Sequence, residues 1–381
     1  MKSKFPRRIL ALTLAALTLW SVAAVMDSDT PSAAIRALQS QRLPRQFIRW
    51  ELGDYFSADD LPLATVLALR QSPILLAQRS AICEAMNASD EQPSEEQKDD
   101  TTDEPAIEKS PSLPASTLSD DLEFLDNGAP SETVIPSTTK GYCVVGKAYI
   151  KNTSTKTLSK KSLAKGKFAA KLSNDGPQVL IVHTHGSEAY AMPAGHKYKS
   201  SGYYRTTDTR YNVVRVGDEI AAVLSQYGIS VLHDRVLHDC PSYNAAYESS
   251  LASIQDYMKK YPSLTFVLDI HRDAIEDSSG RQYKVVSREE PHAAQLSLIM
   301  GSNHDGWEEN LKLAVAVQQT ILGKNPTLMR PITLRNSNYN QHLSSGSLLV
   351  EVGTAGNSLD EAIYAGRLFA QGFAETLQNG K

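Results

Sequence analysis

Cysteine is nearly absent: there are 3 in 381 residues, at Cys83, Cys143 and Cys240. No two of them lie in a CxxC spacing, which excludes a cysteine-ligated zinc site, and an odd, scattered set excludes a disulfide framework. They read as buried apolar thiols. Aromatics are sparse at 7%, there is no internal repeat, and the net charge is only −4. Nothing in that balance calls for a nucleic-acid partner. The charge is uneven, however. Residues 1–140 carry 13 Lys and Arg against 21 Asp and Glu, and the remaining residues carry 26 against 22.

One uncharged run stands out. "ILALTLAALTLWSVAAVM" extends from Ile9 to Met26 behind Lys2, Lys4, Arg7 and Arg8. About 18 apolar residues suffice to cross a bilayer core. The flanking cations stay in the cytoplasm, so residues 1–26 read as a cytoplasmic tail and transmembrane anchor with everything after Met26 outside. A cleaved signal peptide ending near Ser21, Ala23 and Ala24 is the alternative. Residues 27–86 read as a membrane-proximal helical region. Residues 87–140 are acidic and rich in Ser, Thr and Pro, a composition that cannot offset the entropy of ordering, so a disordered spacer is expected. Residues 141–176 form a short, β-rich and lysine-rich lead-in. Such a run of lysines either is a solvated surface or lies against an anionic polymer.

From residue 177 to 381 the pattern is α/β. Val179–His185, Ile229–Asp234, Thr265–Ala274 and Leu348–Gly353 read as strands buried on both faces. Amphipathic helical segments lie between them, one stopping at Gly228 and another opening on a Ser358/Glu361 capping box. The fold class is a mostly parallel twisted sheet with helices on both faces.

Ligands of such sheets sit beyond the carboxyl ends of the strands. Three expected strand ends carry polar residues: His183, His185 and Glu188; Asp269 and His271; and Glu351. A carboxylate in an apolar strand costs several kcal/mol without a partner. His185-x-x-Glu188 with His271 makes a His2Glu set, which holds zinc and leaves a fourth position open for water. Glu351 then suits the general base. His183, two residues before His185, shares its face if the strand continues, as a supporting residue or alternative ligand. Asp269 stands in the same relation to His271 and could orient it. A purely structural polar network is the competing reading. "RPITLRNSNYNQHLSSGS", just before the last strand, offers Arg335, Asn340, Gln341 and His342 for carboxylates and amides of a substrate.

Taken together, "VLIVHTHGSEAY", "DIHRDA", "WEENLKLAV" and "YNQHLSSGSLLVEVGTAGNSLDEA" resemble the stage II sporulation protein P family over about Pro177 to Gln378. The resemblance implies a fold like the zinc-dependent N-acetylmuramoyl-L-alanine amidases and cleavage of peptidoglycan during engulfment, with endopeptidase action on cross-links as a second activity. It implies two partners, a lytic transglycosylase (stage II sporulation protein D) and a membrane protein (stage II sporulation protein M). By motif, His185 and His271 fall on zinc histidines and Glu351 on the catalytic glutamate. Glu188 comes earlier than the glutamate ligand of related amidases, so Glu219 is its rival. A non-catalytic wall-binding scaffold and a zinc carboxypeptidase are the other functional readings.

Overall fold

A computed structural model describes residues 122–172, 175–278 and 280–379. The expected membrane span, the membrane-proximal region and most of the expected spacer lie outside these residues. Among the described residues no helix is long and apolar enough to cross a membrane.

An eight-stranded sheet carries the fold. In chain order its strands are β2 (Cys143–Val145), β3 (Ala148–Asn152), β4 (Val179–Val182), β5 (Val231–His233), β6 (Phe266–Asp273), β8 (Leu296–Gly301), β9 (Ile332–Arg335) and β10 (Gly346–Thr354). Their spatial order is β2-β3-β9-β8-β10-β6-β4-β5. Most neighbours are parallel, but β10–β8 and β2–β3 are antiparallel. The sheet is therefore mixed. Residues 141–152, expected as a separate lead-in, supply two of its strands.

Four helices matter for the site: α2 (Val213–Gln226), α3 (Ala246–Lys260), α4 (Trp307–Lys324) and α5 (Leu359–Asn379), after a one-turn α1 (Lys160–Leu163). One face of the sheet packs against α2, α4 and α5 through side chains such as Ile220, Leu311 and Phe369. On the other face Val182 and Val267 pack with Ile254 of α3 and with Leu343. Both faces are covered, and this is why the central strands are apolar without alternation. The helix ends follow local chemistry. Asn212 caps α2 through Val214 N, and Gly228, at φ +73°, follows its last turn. Ser358 and Glu361 exchange backbone hydrogen bonds of 3.1 and 3.2 Å before α5, the expected capping box.

Residues 122–140, expected to end the spacer, are instead held to the domain. β1 (Ser131–Glu132) pairs in parallel with β7 (Lys284–Val285). Phe124 stacks on His292 at 4.4 Å, and Asn127 donates to the Gly356 carbonyl. Composition averaged over 87–140 hid these few anchoring side chains. Limited proteolysis is accordingly expected to cut before Leu122 and leave a stable C-terminal fragment; a first cut within 122–140 would contradict these contacts.

Candidate active site

β4, β6 and β10 are parallel neighbours, so their carboxyl ends lie together. β4 stops at Val182 because the next residue turns to another task. Thr184 gives its N–H to Asp269 Oδ1 at 2.8 Å and its hydroxyl to Oδ2 at 2.6 Å. The chain then turns through Gly186 and Ser187, and Glu188 N bonds back to the His185 carbonyl. This turn separates the two histidines, contrary to the expectation that they share a face. His183 points toward α2: a Cβ added at Gly217 would lie 2.6 Å from its Nε2. It bonds the Ile270 carbonyl through Nδ1 at 3.0 Å and His233 Nε2 through Nε2 at 2.7 Å. A carbonyl only accepts, so His183 carries its proton on Nδ1 and accepts from His233. Its nitrogens are spent behind the strand, which removes it as an alternative ligand.

His185 lies on the α3 side. Its ring stacks on Tyr243 at 4.3 Å and meets His271 edge-on at 5.4 Å. Its Nδ1 is buried without a hydrogen-bond partner. Burial lowers its pKa to about 4, against the pull of Glu188, so the imidazole is neutral with a bare nitrogen. Glu188 Oε2 accepts from Arg272 N at 3.1 Å and lies 3.3 Å from His271 Nδ1. Arg205 approaches Glu188 at 3.6 Å. Burial alone would raise its pKa, but Arg272 and His271 hold it well below the usual carboxylate range. Asp269 Oδ1 lies 2.9 Å from His271 Nε2. This contact pairs the ring with the carboxylate that Thr184 also engages. Burial would lower the His271 pKa, and the charges of Asp269 and Glu188 raise it well above the ordinary value.

Glu351 faces this group from β10, opposite His271 of β6 and Ser297 of β8. Its Oε2 is buried and unpartnered. Burial first, then the charge of Asp273, pushes its pKa up to about 8. The group thus holds two buried polar atoms without a partner, His185 Nδ1 and Glu351 Oε2. Buried polar groups are normally paired, so such a cluster needs an explanation.

The donor set fits zinc by chemistry, with an ionised carboxylate and two imidazoles, of which His185 already offers a bare nitrogen. Its present arrangement is not that of a finished metal cage. Among the described residues, no three His, Cys, Asp or Glu side chains surround one point as an ion requires. The His271 ring sits between two carboxylates, Glu188 at 3.3 Å and Asp269 at 2.9 Å.

Glu219, the rival third ligand, is elsewhere. It lies on α2, buried between Arg215 at 2.8 Å and Arg367 at 2.6 Å. Within the expected substrate-binding loop, Arg335 falls away from the group. β9 runs antiparallel to β10, with Pro331 beside Ser297 and Arg335 level with Gly301. Exposed Arg335 is thus four residues, roughly 13 Å, farther down the sheet than Glu351. Gln341 is buried and bonds Gly301 N and the Ile299 carbonyl, pinning the end of β8. His342 bonds Asn338 on the surface. Asn340 donates to the Tyr247 carbonyl and Ser250 Oγ, steadying the helix that sets Tyr247 5.6 Å from His185. Arg335→Ala is expected to leave turnover unchanged; a large loss of kcat/KM would restore it to the substrate path.

Sequence reading missed the wall of the site. Tyr243 carries the Arg205 guanidinium at 4.5 Å from its ring centroid, besides stacking on His185. Arg205 is anchored by Asp239 at 2.7 Å. These residues sit in loops and a 3-10 turn, where no periodicity marks them; the cluster of Tyr and Arg at 203–205 was the only available signal.

The two buried neutral histidines make stability pH-dependent. In the unfolded chain they take up protons near 6.5, and in the folded chain only near 3 for His183 and near 4 for His185. The unfolded state therefore binds more protons as pH falls. Stability is fully present above about pH 6.5 and is lost below it, by ~1.4 kcal/mol per pH unit for each group. His271, raised in the folded state, is protonated in both states below 6.5 and adds no slope there. Glu351, pushed up to about 8, is protonated in the folded chain and ionised in the unfolded chain across this range, and it opposes one of the two histidine slopes. Urea unfolding of Glu351→Gln in chelator, which removes that opposition, is therefore expected to show lower stability at pH 5 than at pH 7. Equal midpoints would contradict the buried neutral assignment.

Solved structures similar to the chain have low scores. They include an N-acetylmuramoyl-L-alanine amidase (AmiC2) of Nostoc punctiforme, 18% identical with TM-score 0.32, covering 54% of this chain and 98% of that one. Another is the CwlD amidase of Clostridioides difficile in complex with the GerS lipoprotein, 13% identical with TM-score 0.35, covering 53% and 98%. A curated relative, stage II sporulation protein P of Bacillus subtilis (strain 168), is 26% identical over 212 residues, which are 53% of this chain. The chain spans about half the length of that relative, 51%. The family model of stage II sporulation protein P matches residues 64–374, from upstream of the described domain through the segments that carry His185, His271 and Glu351 into α5, and the chain belongs to that family.

Proposed function

We propose that the chain is a zinc-dependent peptidoglycan hydrolase that cuts the amide between N-acetylmuramic acid and L-alanine during engulfment. The observation that carries the reading is Glu351. It is a carboxyl group with a buried, unpartnered oxygen and a raised pKa, placed in register with His271. A structural network would have paired that oxygen. His185, Glu188 and His271 are the residues that would hold the ion. Zinc, when bound, supplies Lewis acidity toward the scissile carbonyl and toward water.

The chain's own groups do the rest. Glu351 takes the proton of the attacking water and returns it to the departing nitrogen. Its raised pKa suits both halves of that transfer, because an effective acid–base group titrates near the working pH. Arg205 and Arg272 keep Glu188 ionised. Tyr243 holds the plane of His185 and walls the entrance.

An N-terminal anchor, with the catalytic domain outside the cytoplasm, would bring this site to the wall. The family's lytic transglycosylase and membrane protein are the expected partners, with peptidoglycan as substrate. Digestion of purified peptidoglycan followed by mass spectrometry tests the reading. Stem peptides with a free N-terminal alanine, released only without chelator, are expected. Cuts confined to cross-links would make it an endopeptidase, and no cuts would leave a wall-binding scaffold.

A further inference from the structure

The lysine-rich stretch takes no part in the site. Residues 147–171 contain eight lysines and no Asp, Glu or Arg. Lys151, Lys160, Lys161, Lys165 and Lys167 are exposed, and among the described residues none of the five forms an ion pair. The rest are partly engaged: Lys147 donates to the Leu322 carbonyl, and Lys156 and Lys171 lie over the rings of Trp307 and Phe168. The acid at the border is Glu308, which accepts from Ser162 and lies 3.7 Å from Lys312.

Topology places this band away from the chemistry. β3 runs parallel to β9 and β8, hence opposite to β10; Lys151 is level with Leu349 but three strands to the side of β10, and the chain leaves β3 toward the amino-terminal end of β10. The Lys171 carbonyl accepts from Thr265, just before β6, and a Cβ at Gly346 would touch Ala170 at 3.0 Å. The band therefore runs beneath the amino ends of β6 and β10, while Glu351 lies near the carboxyl end of β10. Five residues of strand, roughly 17 Å, separate Gly346 from Glu351. A ligand on the band leaves the site open.

The chemistry of the band defines its partner. Lysines are compact, hydrated point charges that bind a run of phosphates without the bidentate geometry of the arginine fork. Clustered like charges repel one another, and a polyanion relieves this. A bilayer surface would also be anionic, but binding there draws on apolar side chains that insert. The large exposed hydrophobics among the described residues are Leu125, Ile135, Tyr203, Val236 and Tyr243, none of them in the band. We propose that Lys151, Lys160, Lys161, Lys165 and Lys167 bind a phosphodiester-linked anionic polymer of the cell wall, holding the domain by the end opposite its site. This holds whether or not the site turns over.

The test uses the full chain in nonionic detergent with fluorescent poly(glycerol phosphate), polyglutamate, and vesicles of phosphatidylcholine and phosphatidylglycerol at 3:1. Each is compared with the K151Q/K160Q/K161Q/K165Q/K167Q variant, so that contributions from residues 1–121 cancel. Five phosphate contacts imply a loss on the order of 100-fold between 50 and 200 mM salt, by analogy with single-stranded nucleic acid. The variant is expected to lose at least tenfold in affinity for poly(glycerol phosphate) at unchanged Tm, while K259Q/K260Q on α3 loses nothing. K160Q/K161Q, confined to exposed α1, gives a smaller loss of the same sign and serves if the larger variant misfolds. Undiminished polymer binding by the variants, equal affinity for polyglutamate, or a charge-dependent loss seen on vesicles alone would each overturn the proposal.

Discussion

Glu351→Gln is expected to keep its metal and its fold and to lose on the order of 10²–10⁴ in rate, the usual cost of removing a general base. The amide fills the same space but cannot take a proton from water. Stability should hold or rise, because a buried carboxyl with an unpartnered oxygen and a pKa near 8 is itself unfavourable. Metal retained, Tm unchanged or raised and product absent is therefore the expected combination in zinc analysis, thermal unfolding and muropeptide release. If Glu351→Gln sheds the metal while Glu188→Gln retains it, the roles of the two carboxylates are exchanged.

His271→Ala is expected to have a different outcome, losing metal, activity and stability together. His271 is the cation between Asp269 and Glu188, at 2.9 and 3.3 Å. Removing it leaves two buried carboxylates facing one another across a cavity. Breaking a buried charge pair costs about 3–5 kcal/mol. His185→Ala makes the contrast. Its Nδ1 bonds nothing and its ring is neutral, so in chelator the substitution loses chiefly the stacking on Tyr243, about 0.5–1.5 kcal/mol. Both variants should lose zinc, and only His271→Ala should unfold at markedly lower urea. Equal destabilisation of the two would contradict the described charge arrangement.

Much of this was legible in the sequence because the central strands are buried on both faces. Apolar runs at Val179, Phe266 and Leu348 reveal the strands, and a polar residue at the end of each run reveals the edge. The helices α2, α4 and α5 announce themselves by period and caps. β8 and β9 were not legible: "LSLIMG" and "ITLR" are short and lie between loops, and nothing local states that β8 runs against β10. That reversal is why Arg335, close in sequence to the catalytic strand, ends far from Glu351. α3 hid in the polar stretch "AYESSLASIQDYMKK", of which it buries only Ala246, Ser250 and Ile254. His183 was assigned the wrong side because period-2 reasoning assumes an unbroken strand, and the bonds from Thr184 to Asp269 break it. Tyr243, Arg205 and Asp239 form the wall through contacts between loops distant in sequence, which no local pattern encodes.

We propose that His185, Glu188 and His271 hold one zinc ion beside Glu351. Elemental analysis of the purified full chain and its variants, after exposure to zinc and desalting, tests it most directly. One zinc per chain in the unaltered protein and in Glu351→Gln, with none in His185→Ala or His271→Ala, is the predicted result. No zinc in the unaltered protein, or a full complement in His271→Ala, would contradict it.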